Sequence, residues 1–185
     1  MIPLYPQPFL EYLVQFHAER DYFECHEILE EFWKKAPPSE RRPVWVALIQ
    51  IAVALYHHRR NNLAGARKLL ANAIRLAEEH FTEWKELGLD GTRLMALLKQ
   101  RLQEINSGAP YSSLDLPIAD PALKQIYAQT CAARNLPLQR PSDLSNHFLL
   151  HKHTLRDRSE VRAERQRQLE LRQKMRSGQC GDGES

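Results

Sequence analysis

The segment from Pro43 to about Arg60, P-V-W-V-A-L-I-Q-I-A-V-A-L-Y-H-H-R-R, constrains this chain more than any other. Wound at about 100° per residue, it is apolar on almost every side. A helix of that kind loses its advantage unless other elements cover it all round, so the pattern predicts a central helix inside a bundle. Its apolar run stops short of the roughly 20 residues needed to span a bilayer, so no membrane role is expected.

The flanking segments supply the cover. Phe9 to about Glu19 reads as a first helix with Phe9, Leu10, Leu13, Val14 and Phe16 on its apolar side. A second helix begins at Tyr22, with Asp21 as its cap and Glu24 three residues on as the returning partner. The turn between them is very short, which predicts an antiparallel hairpin. After the central helix, Asn61 suits a left-handed terminal residue and Asn62 suits a cap. Leu63, Ala66, Leu69, Leu70, Ala73, Ile74 and Ala77 then form one stripe, and Asp90 caps a further helix with Leu94, Leu97, Leu98, Leu102 and Ile105 inward.

Gly108, Pro110, Pro117 and Pro121 mark a loop, a short helix is expected over 122–134, and Pro-containing chain follows to Ser145. Residues 149 to about 175 read as one long charged helix, and 177–185 as disordered. The expected class is therefore all-α: a single helical-bundle domain with a loop-rich C-terminal extension and a long charged terminal helix. The expected division is 1–106 as helical core, 107–148 as loop and short-helix extension, 149–176 as charged helix and 177–185 as tail.

A net charge of +3 is too small to imply a nucleic-acid partner by itself. From Arg156 to Arg176, however, 8 basic residues face 4 acidic ones, so that helix is a candidate contact for an acidic protein or RNA. Cys25, Cys131 and Cys180 are far apart and odd in number, which suits thiols in a reducing cytoplasm. The N-terminus, M-I-P-L-Y-P-Q-P, shows no signal-peptide pattern.

Four polar residues stand where a core should be. His26 and Glu30 are one turn apart on the stripe shared by Tyr22, Leu29 and Trp33. Gln50 and His57 are two turns apart on the central helix. A buried polar group without a partner costs roughly 1–3 kcal/mol. The simplest expectation is that the two pairs satisfy each other across a helix–helix interface.

Y-F-E-C-H-E-I-L-E-E-F-W and L-I-Q-I-A-V-A-L-Y-H-H-R-R-N-N-L-A-G-A carry a resemblance over roughly Phe9 to Ala77. The chain resembles the bacterial and archaeal family known as domain of unknown function 309, whose members also carry the label of metal-dependent hydrolases. The family pattern falls here on Glu24, His26, Glu27, Leu29, Glu30 and Trp33, then Leu48, Ile49 and Gln50, then His57, and then Asn62, Gly65 and Ala66. Several members have Gly where this chain has Asn61, and Asn tolerates the same backbone conformation. The resemblance implies an all-helical fold.

Two readings of the cluster stand side by side. His26, His57 and Glu30 are a two-imidazole, one-carboxylate set of the kind that holds a hydrolytic divalent ion such as zinc. Glu27 is then the expected general base, with Gln50, Trp33, Glu24 and Asn62 as supporting residues. H-E-x-x-E resembles H-E-x-x-H, but its last position is Glu, so the zinc-protease signature is not met. In the other reading the same groups are a hydrogen-bonded clasp that pins two helices in register. The protein is then a non-catalytic interaction or scaffold module, with self-association left open. His147 and His151, one turn apart, have no carboxylate or Cys at useful spacing and are expected on the surface.

Overall fold

The computed structural model describes residues 4–155 and 159–178. The central helix, α3, spans Pro43–Arg59. Pro43 occupies its first turn, where a missing N–H costs nothing, and Arg42 before it is extended. Val44, Trp45, Ala47, Leu48, Ile51, Ala52, Ala54, Leu55 and Tyr56 are all buried, while Val46, Gln50, Val53 and His57 form one half-buried stripe. It ends in a Schellman turn. Asn62 donates its N–H to the His57 carbonyl at 2.8 Å and Asn61 to that of His58 at 2.9 Å. Asn61 takes the left-handed conformation, φ 60°, as its side-chain type predicts.

The cover comes mainly from α2, Tyr22–Lys35, and α4, Leu63–Glu79, which pack on α3. α1, Gln7–Val14, lies against α2, and α6, Gly91–Asn106, lies against α4. A one-turn helix, α5, Glu83–Glu86, buries Trp84, whose indole N–H donates to the Ala77 carbonyl at 3.0 Å. α7, Pro121–Ala133, returns to α1. Two further single turns are α8, His147–Leu150, and α9, Lys152–Leu155, and α10 spans Ser159–Gly178. Among the described residues the extended pairing is one isolated bridge, Leu89 to Ile118. The architecture is all-α.

Contacts divide the chain into a body, 1–151, and a separate unit, 152–185. The stretch 107–148 belongs to the body. The expected long helix from Leu149 is interrupted at His151, whose backbone leaves helical values (φ −122°) and whose Nδ1 accepts from Arg60 Nε at 3.3 Å. Ser177 and Gly178 end α10. The rest of the expected disordered tail, 179–185, lies outside the described residues, as do Met1–Pro3, residues 156–158 and Cys180.

The first helix also departs from expectation. After Val14 the chain widens into a π turn over Gln15–Glu19 and reverses at Arg20, which is left-handed at φ 54°. The N–H groups of Arg20 and Asp21 both reach the Gln15 carbonyl. The wider turn buries Phe16, His17 and Ala18 together. His17 is locked in one tautomer. Its Nδ1–H donates to the Leu13 carbonyl at 3.0 Å, and its Nε2 accepts from the Leu116 N–H at 2.8 Å. The second bond requires a neutral ring, because a protonated Nε2 has no lone pair to accept with.

Burial, against the opposing pull of Asp115, depresses the His17 pKa from 6.5 to about 4. The neutral form is therefore favoured in the folded state, and the unfolded chain binds the proton first as pH falls. The stability that His17 contributes is complete above pH 6.5 and is lost between 6.5 and about 4, at about 1.4 kcal/mol per pH unit. Urea melts across that window are expected to show the loss, and His17→Gln is expected to flatten the slope. A wild-type midpoint constant from pH 7 to pH 4.5 overturns the assignment.

Candidate functional site

The α2 helix starts where its cap dictates, with Asp21 Oδ1 accepting the Glu24 N–H at 3.0 Å. Its fully buried residues are Tyr22, Cys25 and Leu29, an i, i+3, i+7 stripe. His26 and Glu30 stand at the edge of that stripe, with side chains 27% and 36% exposed. They do not reach across to α3 for their bonds. His26 Nε2 lies 3.1 Å from Glu30 Oε2, and His26 Nδ1 lies 3.5 Å from Glu27 Oε1. Glu30 Oε1 takes Lys34 Nζ at 2.8 Å. Partial burial acts to raise the Glu30 carboxyl, but the Lys34 bond and the His26 charge outweigh it and hold it below the usual carboxylate range. The result is a polar ladder along one helix.

The partners expected on α3 are bonded elsewhere. Gln50 Oε1 accepts from Asn72 Nδ2 of α4 at 2.7 Å, and Asn72 in turn holds Arg75 at 2.8 Å. His57 Nδ1 accepts from Asn62 Nδ2 at 3.0 Å, while Asn62 Oδ1 takes the Gly65 N–H at 3.1 Å. Burial first, then the Arg60 charge, lowers the His57 pKa. His26 packs on Phe23 at 5.8 Å, Phe23 on Tyr56 at 6.0 Å, and Tyr56 on His57 at 6.2 Å. The ring contacts leading from one imidazole to the other therefore pass through two apolar rings. Among the described residues, no group of three or more His, Cys, Asp or Glu is placed to hold a metal ion. Of the three expected ligands, His26 and Glu30 stand together on α2, and His57 is bonded to Asn62.

The remaining motif residues are structural neighbours of these. Trp33 carries the Arg41 guanidinium over its ring at 4.8 Å, and its indole nitrogen is buried without a hydrogen-bond partner. Gly65 is required by Asn62: a Cβ there would meet Asn62 Nδ2 at 2.8 Å. His147 and His151 stack on each other at 6.3 Å between ring centres.

The sequence profile described as Domain of unknown function (DUF309) matches residues 9–69. The uncharacterized protein YpuF of Bacillus subtilis (strain 168) is 48% identical over 173 residues, covering 94% of this chain and 99% of its own length. The chain belongs to the DUF309 family. No solved structure matches it. Among the described residues of this DUF309 chain, no helix is long and apolar enough to cross a membrane.

A second polar centre in the DUF309 body was not visible from sequence. Arg20, Arg59 and Arg101 are all buried. They gather around a hydroxyl pair, Tyr22 Oη and Tyr111 Oη, 2.5 Å apart. Arg20 donates to the carbonyls of Leu114 (2.7 Å), Phe16 (3.2 Å) and Arg140 (2.7 Å) and to Asp115 (2.5 Å). Arg101 bonds Glu104 at 2.9 Å and the Ser112 carbonyl at 2.8 Å. No periodicity signals such residues, because arginine in a sequence reads as surface.

Asn62→Ala is expected to remove two bonds at once, the cap on α4 and the anchor of His57. The expected loss is about 1–2 kcal/mol in urea unfolding. A change within a few tenths of a kcal/mol rules out the clasp at this turn.

Proposed function

We propose that this DUF309 chain is a non-catalytic helical interaction module. Its His26, Glu30, Gln50 and His57 motif acts as structural clasps, and its basic helix α10 contacts an acidic partner, RNA foremost. One observation carries the reading: each of the four motif side chains is already bonded to a neighbour, Glu30 to His26 and Lys34, Gln50 to Asn72, His57 to Asn62. Of these, the Gln50–Asn72 bond joins α3 to α4 and the His57–Asn62 bond holds the turn between them, and neither needs a ligand.

α10 is polar around its circumference. Its Glu164 takes Gln168 at 3.0 Å and Arg167 at 3.3 Å, and Leu169 and Leu171 are exposed. A helix of this kind has no apolar face to dock into a core. Arg165, Arg167 and Arg172 are exposed on it, suited to neutralising phosphates. The buried thiols of Cys25 and Cys131 agree with a cytoplasmic setting.

A second reading takes support from the juxtaposition of His26 with Glu30 and Glu27. It is a metal-dependent hydrolase with His26, Glu30 and His57 as ligands to a divalent ion such as zinc, and Glu27 as base. Elemental analysis of the purified chain decides between them. The module reading expects no stoichiometric divalent ion and a melting temperature indifferent to chelator. A stoichiometric ion that disappears in His57→Ala establishes the hydrolase reading instead. RNA binding is expected to fall linearly in log Kd against log salt and to vanish on deletion of residues 156–185. A salt-independent or deletion-independent signal removes α10 from the function.

A further inference from the structure

Among the described residues, no carboxylate pairs with the buried guanidinium of Arg59. It is 8% exposed, and its bonds go to neutral acceptors: the Arg20 carbonyl at 2.7 Å, Ser142 Oγ at 3.2 Å and the Leu149 carbonyl at 3.4 Å. Its Nε is buried with no partner. The guanidinium carbon sits 4.6 Å above the Tyr22 ring, which offsets part of the cost of removing the charge from water. The other guanidiniums nearby are each matched: Arg20 by Asp115, Arg101 by Glu104 and Arg140 by Glu19. Buried charges are ordinarily paired, so the excess here calls for an anion.

A cavity of about 540 Å³ opens beside this charge. Arg20, Arg140, Tyr111, Ser112, Ser113 and Ser142 line it, together with Asp115, whose charge Arg20 already takes up. Ser142 joins the two features. Its hydroxyl bonds Arg59 on one side and the Tyr111 hydroxyl, at 2.7 Å, on the other. The volume is that of an ordinary small-ligand site. Its polar donors are hydroxyls and guanidiniums, groups that recognise an oxyanion with several acceptor oxygens, set among apolar surface from Pro141 and Leu144.

We infer that this cavity binds a small phosphate-bearing molecule, with Arg140 and the serine and tyrosine hydroxyls as its direct contacts and Arg59 supplying the unbalanced charge behind Ser142. This site shares no residue with the clasp motif or with α10, so it stands independently of the function proposed above.

Thermal melting of the full chain in millimolar pyrophosphate, against sodium chloride at matched ionic strength, tests it. Pyrophosphate is expected to raise the melting temperature in a saturable way, with broadening of its phosphorus resonance and one equivalent bound per chain. Arg140→Gln is the informative variant. Among the described residues the Arg140 side chain bonds Glu19 alone, while its backbone makes the loop's own bonds to His17 and Arg20, so the fold is expected to persist. Its Kd for pyrophosphate is expected to weaken about ten-fold. Arg75→Gln, on α4 away from the cavity, is expected to bind as the wild type does. The inference is overturned by the lack of a saturable rise, by unchanged affinity in Arg140→Gln, or by equal stabilisation from malonate, a dicarboxylate of similar size.

Discussion

The rest of this structure depends on keeping water away from most of α3. Its apolar residues leave at most one half-buried stripe, so α2 and α4 must both lie along it, and α1 and α6 brace those two in turn. The demand also fixes where polarity is allowed. Gln50 is tolerated on α3 because Asn72 of α4 supplies its donor. The remaining polar groups are pushed to the last turn, where His57, His58, Arg59 and Arg60 find partners in the Asn62 amide, the Ala109 carbonyl, the Arg20 carbonyl and the His151 ring. The Schellman turn then lets the chain double back into α4, whose alanines at 66, 73 and 77 bring its backbone close to the bundle.

The second organising force is arginine. Residues 107–120 and 134–146 carry little regular structure, yet Leu114 and Leu116 are buried, so their backbone carbonyls need donors away from water. One guanidinium offers five donors in a plane. Arg20 meets the Leu114 and Arg140 carbonyls this way, tying the π turn to both loops, and Arg101 does the same from α6 to Ser112. Gly88 contributes at the opposite end. Its left-handed backbone brings Tyr5, Asp120 and Leu123 closer than a side chain there would permit, and the Tyr5 hydroxyl bonds Asp120.

The helices and their starts were legible because each rests on a local rule. Asp21, Asn62 and Asp90 each accept the N–H three residues on, as their placement before apolar stripes indicates. The all-round apolarity of α3 named the centre of the bundle. The motif's geometry was less legible. Angular spacing groups His26 and Glu30 with Leu29, but the true centre of the buried stripe runs through Cys25, and a shift of a fraction of a turn moves both residues to its rim. Asn62 was readable as a cap and not as the partner of His57, because one amide serving two acceptor and donor roles is a tertiary fact. The π turn and the buried arginines left no pattern at all, since their partners are set by tertiary contacts, those of Arg20 lying on loops more than ninety residues away.

Arg20 carries two obligations that pull in opposite directions. Its backbone sits in the left-handed region, where glycine is the comfortable residue, while its side chain ties three segments of chain together. Glycine would relax the torsion and leave several carbonyls orphaned; lysine would keep the torsion and offer a point charge where a flat fork is needed. The position is therefore a local optimum with no neighbouring exit, and evolutionary drift through it requires the π turn and the loops to change together.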